Sequence, residues 1–196
     1  MKVLIACEES QTVCIEFRKL GHEAFSCDIL PCSGGHPEWH IQGDVLEQLD
    51  KGWDLMIAHP PCTYLSNAGA RFLYPEGKLN QDRLSKGLEA KKLFMELYNS
   101  SIPKICVENP IPSKVYELPE KIQVIQPYEY GHPYKKKTYL WLKNLPELNP
   151  TEVVTVVEST KIPGNWFNKG GKERQKNRSK TFEGIAVAMA KQWGNV

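Results

Sequence analysis

Short apolar runs recur along the chain, separated by stretches with helical spacing or by polar loops. Lys2 to Cys7 encloses Val3, Leu4 and Ile5 and reads as a strand buried on both faces. Val13, Phe17 and Leu20 follow at helical spacing behind a possible cap at Ser10, and Gly21 supplies the stop. Glu23 to Ile29 reads as a second strand, followed by a Gly- and Pro-rich loop through Trp39. Val45 to Leu49 reads as a short helix and Asp54 to Ala58 as a strand. Beyond a polar loop from Thr63 to Asn80, residues Ala90, Phe94 and Leu97 share one helical face, with Leu93 beside them. Lys104 to Val107 is the next strand. Gln123 to Gln126 and Thr138 to Leu142 read as strands that pair antiparallel. Phe182, Ala186, Met189 and Trp193 form the stripe of a last helix. Strands alternating with helices predict an α/β fold built on a Rossmann-like, mostly parallel, doubly wound sheet.

With 196 residues, 41% hydrophobic and 24% charged, the chain is expected to form one domain over 1–196 and lies away from the disordered and membrane classes. Glu8 and Glu9 interrupt the apolar start and exclude a signal-peptide core, so a cytoplasmic location is expected. The six cysteines are scattered through apolar runs, which suits thiols in a reducing compartment better than a disulfide framework. The net charge of +2 says little about partners, whereas local clustering says more. Lys169, Lys172, Arg174, Lys176, Arg178 and Lys180 follow Trp166 and Phe167 in a segment without apolar periodicity, predicting a mobile basic loop at about 164–180. Basic charge beside aromatics suits a phosphate backbone and an unstacked base, although a solvated loop has the same composition.

His59-Pro60-Pro61-Cys62 directly follows a predicted strand and so places a thiol at the carboxyl end of the sheet, where open α/β folds bind ligands. Val107-Glu108-Asn109-Pro110 likewise ends a predicted strand, which brings a carboxyl group toward the thiol. Taken singly, each has a plain alternative, a structural cysteine after a proline turn and an ordinary surface turn. Together they suit nucleophilic catalysis on a pyrimidine. A thiolate adding to cytosine carbon 6 needs an acid at ring nitrogen 3, and the addition makes carbon 5 nucleophilic.

At these residues the chain resembles the DNA cytosine 5-methyltransferase family, whose catalytic loop carries Pro-Pro-Cys and whose acid lies in Glu-Asn-Val. Further likeness lies in Tyr130-Gly131-His132-Pro133 with Lys135, Lys136 and Lys137, in Cys27-Asp28-Ile29 and Gly43-Asp44-Val45, and in Gly184-Ile185-Ala186-Val187. The resemblance implies catalytic roles for Cys62, Glu108 and Asn109 and a fold of the S-adenosylmethionine-dependent methyltransferase type. It implies S-adenosylmethionine as cofactor, in a crevice bordered by Cys7, Glu8, Ser10, Asp28, Ile29, Asp44, Val45 and Pro60. Asp28 would hold the ribose and Asp44 the adenine amino group. It implies DNA as partner, with Lys135, Lys136 and Lys137 on the nucleic acid, where the basic run adds Lys172, Arg174, Lys176 and Arg178. Three features differ from the family: Ala6 to Ser10 holds no glycine, Thr138 stands where an arginine is expected, and only Leu145 to Lys180 is available for target recognition. The last predicts relaxed sequence context and a preference for single-stranded or locally opened DNA.

Other readings start from the same residues. The same chemistry could act on a free pyrimidine nucleotide, or the fold could bind nucleic acid without catalysis. An amino-directed methyltransferase would want an aromatic residue in place of Cys62. Cys27, Cys32, His36 and His40 have spacing that could feed a zinc ion, but unrelated thiols and a loop with two histidines is the preferred reading, and no metal is expected.

Overall fold

The computed structural model describes residues 1–157 and 180–196. Among them, seven strands form one sheet: β1 (Lys2–Ala6), β2 (Glu23–Asp28), β3 (His40–Gln42), β4 (Leu55–Ala58), β5 (Lys104–Pro110), β6 (Gln123–Ile125) and β7 (Thr138–Lys143). Their order is β3-β2-β1-β4-β5-β7-β6. β1 to β5 run parallel, whereas β7 is antiparallel to both β5 and β6. The sheet is therefore mixed, with the predicted antiparallel pairing of the last two strands supplying the reversal. Order reverses between β1 and β4, and the crevice at the carboxyl ends of these strands is the usual ligand position in such sheets.

Both faces of the sheet are covered, which is why its central strands read as continuous apolar runs. Val3, Ile5, Leu55, Ile57 and Cys106 pack with α1 (Thr12–Lys19) and α3 (Glu183–Trp193). Leu4, Ala6, Met56, Ala58, Ile105 and Val107 pack on the opposite face with Phe94 and Leu97 of α2 (Gln81–Tyr98). Asn80 caps α2 by accepting from the Arg83 N–H at 3.0 Å. The end of α1 is a Schellman motif: Gly21 at φ 84° donates to the Arg18 carbonyl, and the His22 N–H donates to that of Phe17.

Four expectations are corrected. Ser10 does not cap α1; its hydroxyl lies 3.1 Å from that of Thr12, and the N-cap residue is Gln11. The second strand ends at Asp28 and leaves Ile29 outside it. His40–Gln42 forms an edge strand inside the segment read as loop. The short helix at 45–49 is a 3-10 turn over Val45–Gln48, and the polar loop from 63 to 80 contains further 3-10 turns at Asn67–Phe72 and Pro75–Gly77.

Candidate active site

The glycine-free turn after β1 obtains its left-handed positions from Cys7 at φ 59° and Gln11 at φ 58°. Each costs roughly 1–2 kcal/mol relative to glycine, so neighbouring contacts must hold the turn. They do so through two side chains. The buried Glu8 carboxylate accepts from the Val13 N–H at 2.8 Å and the Cys14 N–H at 3.3 Å, satisfying two donors left open in the first turn of α1. Gln11, fully buried, donates to the His36 carbonyl, while its amide oxygen accepts from the His36 N–H and the Cys32 thiol. The loop after β2 is thereby stitched across the turn, with further bonds from Ser33 to the Glu9 carbonyl and carboxylate.

Asp28 and Asp44 stand at the ends of β2 and just after β3. Asp28 is half-buried and accepts from the Leu30 N–H at 2.8 Å; Asp44 caps its 3-10 turn by accepting from Leu46 N–H at 2.9 Å. Ile29, next to Asp28, is 74% exposed, whereas Val45 is buried. Burial, reinforced by the charges of Asp28 and Asp44, pushes the Cys7 thiol up to about 12 and that of Cys27 up to about 11. These thiols are protonated at neutral pH and pack at the ends of β1 and β2 as small apolar groups. Burial also raises the Asp28 carboxyl, and it raises that of Glu8 against the opposing pull of His59 and the α1 amides.

At the neighbouring strand ends, Ala58 of β4 pairs with Val107 of β5, which sets His59 beside Glu108. His59 Nδ1 and Glu108 Oε2 are 2.8 Å apart, with side chains 9% and 12% exposed. Burial pushes the His59 imidazole down, but the bond to Glu108 and the charges of Glu108 and Glu8 outweigh it and set it above its ordinary value. For Glu108, burial pushes up, while the bond and charge of His59, with Lys136 behind them, hold the carboxyl below its usual range. The two stand at ion-pair distance, and each shift favours the charged form of its group. Pro60 is buried and Cys62 half-buried. The Cys62 loop is fixed onto the segment following β5: Asn67 N–H donates to the Ile111 carbonyl at 2.8 Å and Ser113 N–H to that of Leu65 at 2.7 Å. Asn109, next along β5, alternates onto the α2 face, fully buried, with neither amide atom hydrogen-bonded to any described residue.

Two distant motifs meet beside Glu108, where a pocket is bordered by Lys136, Thr138, Phe182, Ile185 and Met189. Lys135 and Lys137 are exposed on either side of the half-buried Lys136. Tyr130 to Pro133 and the start of α3 are fastened together: His132 Nε2 accepts from the Gly184 N–H at 2.9 Å, and a Cβ on Gly184 would stand 1.9 Å from the Tyr130 carbonyl oxygen. Lys172, Arg174, Lys176 and Arg178, with most of the predicted basic loop, lie outside the described residues.

The alternative zinc set disperses. Cys27 faces the Gly43 carbonyl, Cys32 Gln11, His36 stacks on Trp39, and His40 lies between Ser26 and the Leu30 carbonyl. Among the described residues, no three His, Cys, Asp or Glu side chains group as a metal site would require. His59 and Gln11 are the site residues that carried no role in the sequence reading. The strand-end position of His59 was the available signal; Gln11 gave none, because its partners lie 21 and 25 positions away.

No family model matches the chain, and no curated protein matches it. Among solved structures it is similar to the methyltransferase EhMeth of Entamoeba histolytica, at 11% identity and a TM-score of 0.51, covering 82% of this chain and 62% of that one. A protein described as a DNA modification methyltransferase encoded within an E. coli prophage aligns at 13% identity and a TM-score of 0.49, covering 88% of this chain and 56% of that one. The chain thus spans about three fifths of the length of these structures. The likeness to EhMeth shows the fold: this is a methyltransferase-like α/β fold with a mixed sheet.

Proposed function

We propose that this protein transfers a methyl group from S-adenosylmethionine to carbon 5 of cytosine in DNA, with Cys62 as covalent nucleophile. One observation carries the reading. The Pro60-Pro61-Cys62 loop after β4 is fixed to the segment that follows Glu108 on β5, and Glu108 borders a pocket walled by Lys136, Thr138 and α3.

The cofactor crevice suits one end of S-adenosylmethionine better than the other. Asp28 ends β2 and Asp44 follows β3, with Ile29 exposed beside Asp28, which suits a ribose and adenine seat. Cys7, Ser10, Val45 and Pro60 would border the remainder. At the methionine end, Glu8 already occupies the amides of Val13 and Cys14, so a ligand carboxylate would find its partners elsewhere. When bound, this cofactor supplies an electrophilic methyl. Cys62, as thiolate, adds to carbon 6, Glu108 holds ring nitrogen 3 and hands it a proton, and the buried walls of the pocket limit water. Asn109 supports the strand end from the opposite face. Lys135 to Lys137 would meet the phosphate backbone, together with Lys172, Arg174, Lys176 and Arg178. Without groove contacts from a large recognition domain to offset the few kcal/mol of base flipping, single-stranded or opened DNA is the favoured partner. A cytoplasmic setting suits six cysteines that form no disulfide, and among the described residues no helix is long and apolar enough to cross a membrane.

The position of Glu8 favours a second reading, a nucleic-acid binder without catalysis. Transfer of labelled methyl to single-stranded DNA, duplex DNA and cytidine nucleotides separates the readings. We expect transfer to single strands, reduced to background in Cys62→Ala and lowered about 100-fold in Glu108→Gln. Comparable labelling of nucleotides would move the substrate to the free base, and failure to bind cofactor at millimolar concentration by calorimetry would favour the silent binder.

A further inference from the structure

His59 precedes the two prolines of the Cys62 loop, and its N–H donates to the Ala6 carbonyl at 2.9 Å, so its backbone is held from both sides. Its ring meets Glu108 through Nδ1 at 2.8 Å, while Nε2 is buried and has no hydrogen-bond partner among the described residues. The 2.8 Å contact gives a proton on Nδ1 a direct route to the Glu108 carboxylate. The charged groups facing it are Glu108 from β5, Glu8 from the turn after β1, and Lys136 from the segment before β7. An ionised Glu108 cannot by itself protonate a cytosine ring, yet the addition of Cys62 requires a proton at nitrogen 3.

We propose that His59 is the proton source for Glu108, its imidazolium recharging the carboxylate across the Nδ1–Oε2 bond as cytosine nitrogen 3 takes a proton from it. The inference rests on the cytosine reading above. The Cys62 Sγ–C6 bond forms, the C5–C6 π pair moves to C4–C5, and the C4–N3 π pair moves to N3, which takes the Glu108 proton. Glu108 takes the Nδ1 proton, leaving a neutral imidazole protonated at Nε2. When the Sγ–C6 bond breaks, the N3 proton returns to Glu108 and so to His59. His59 is thus a positioning residue that acts through Glu108, and its imidazolium also pairs the buried carboxylate.

The test uses cofactor-free protein and a single-stranded oligonucleotide bearing tritium at cytosine carbon 5. Cys62 addition lets carbon 5 take a solvent proton, and elimination then releases the tritium to water. Wild type should release tritium and Cys62→Ala should not. Relative to wild type, His59→Gln should lose about 100-fold at about pH 7. The loss should shrink to within about tenfold at about pH 6, where Glu108 takes its proton from solvent. In parallel, the His59 ring resonance of wild type should titrate above the ordinary imidazole range and move down in Glu108→Gln. A loss in His59→Gln that is equal at both pH values, an unchanged rate at pH 7, or a His59 ring already neutral in wild type near pH 6.5 overturns the relay. No tritium release from wild type at any pH, with the ring titrating as expected, overturns the cytosine reading and the relay with it, leaving the ion pair alone.

Discussion

Gly184→Ala should unlock α3 from the sheet edge that walls the Glu108 pocket. Gly184 is the second residue of α3, and its N–H is one of the donors that a helix start leaves open; His132 Nε2 accepts it at 2.9 Å. Burial holds the His132 imidazole below its ordinary value, which keeps that nitrogen an acceptor at neutral pH. An added Cβ would stand 1.9 Å from the Tyr130 carbonyl oxygen, 3.0 Å from its carbon and 3.1 Å from His132 Nε2. Both near neighbours belong to the same segment, and the nearest is backbone, so no side-chain rotation relieves the contact. The two segments must separate by more than an ångström, which costs about 1–3 kcal/mol in misfit. The lost bond adds about 1 kcal/mol. A total near 3 kcal/mol lowers the melting temperature by about 10 °C in a chain of this size. Calorimetric scans of Gly184→Ala and His132→Ala separate the two contributions, because His132→Ala removes the bond without the clash and should cost only about 1–2 kcal/mol. A Gly184→Ala loss below about 1 kcal/mol, or one no larger than that of His132→Ala, would refute the close approach.

The His59–Glu108 pair makes stability depend on pH in both directions. The Glu108 contribution is present above the ordinary carboxyl value of 4.5 and is lost as pH falls through its depressed folded value, whereas that of His59 is full below 6.5 and is lost as pH rises through its elevated folded value. Chemical denaturation across pH should show both limbs, and Glu108→Gln should flatten them; an unchanged profile would contradict the pair. Glu8 acts oppositely, since its raised carboxyl favours the folded state most when protonated, so stability falls as pH climbs above 4.5. Glu8→Ala leaves the Val13 and Cys14 amides buried without an acceptor and should cost about 2–4 kcal/mol, while Glu8→Gln keeps one acceptor and should cost less. Urea titrations would rank the two variants, and equal losses would show that the capping bonds do not stabilise the turn. Asp28→Ala should weaken S-adenosylmethionine binding at least about tenfold by calorimetry.

The fold was legible wherever burial wrote it into the chain. β1, β4 and β5 are covered on both faces, so each is an apolar run, and the helix stripes of α2 and α3 name the residues that pack. β3 was not legible, because His40-Ile41-Gln42 offers one apolar side chain at a sheet edge. The start of α1 misled, since Ser10 is the favoured cap by residue type while the bonds come from Glu8, four residues before the helix. Cys62, Glu108, Lys136 and Gly184 could be singled out because each lies in a short motif at the end of an element. The His59–Glu108 pair joins residues 49 apart through strand register, which no local pattern encodes.

The central claim is a covalent bond from Cys62 to cytosine carbon 6, and trapping tests it most directly. Single-stranded DNA containing 5-fluorocytosine, incubated with the protein and S-adenosylmethionine, cannot lose fluorine as it would a proton, so the adduct persists. Intact-mass measurement should show one equivalent of protein joined to the oligonucleotide, peptide mapping should place the bond on Cys62, and Cys62→Ala should give none. Wild-type protein that transfers methyl to DNA without forming the adduct, or an adduct mapped to another cysteine, would contradict the account.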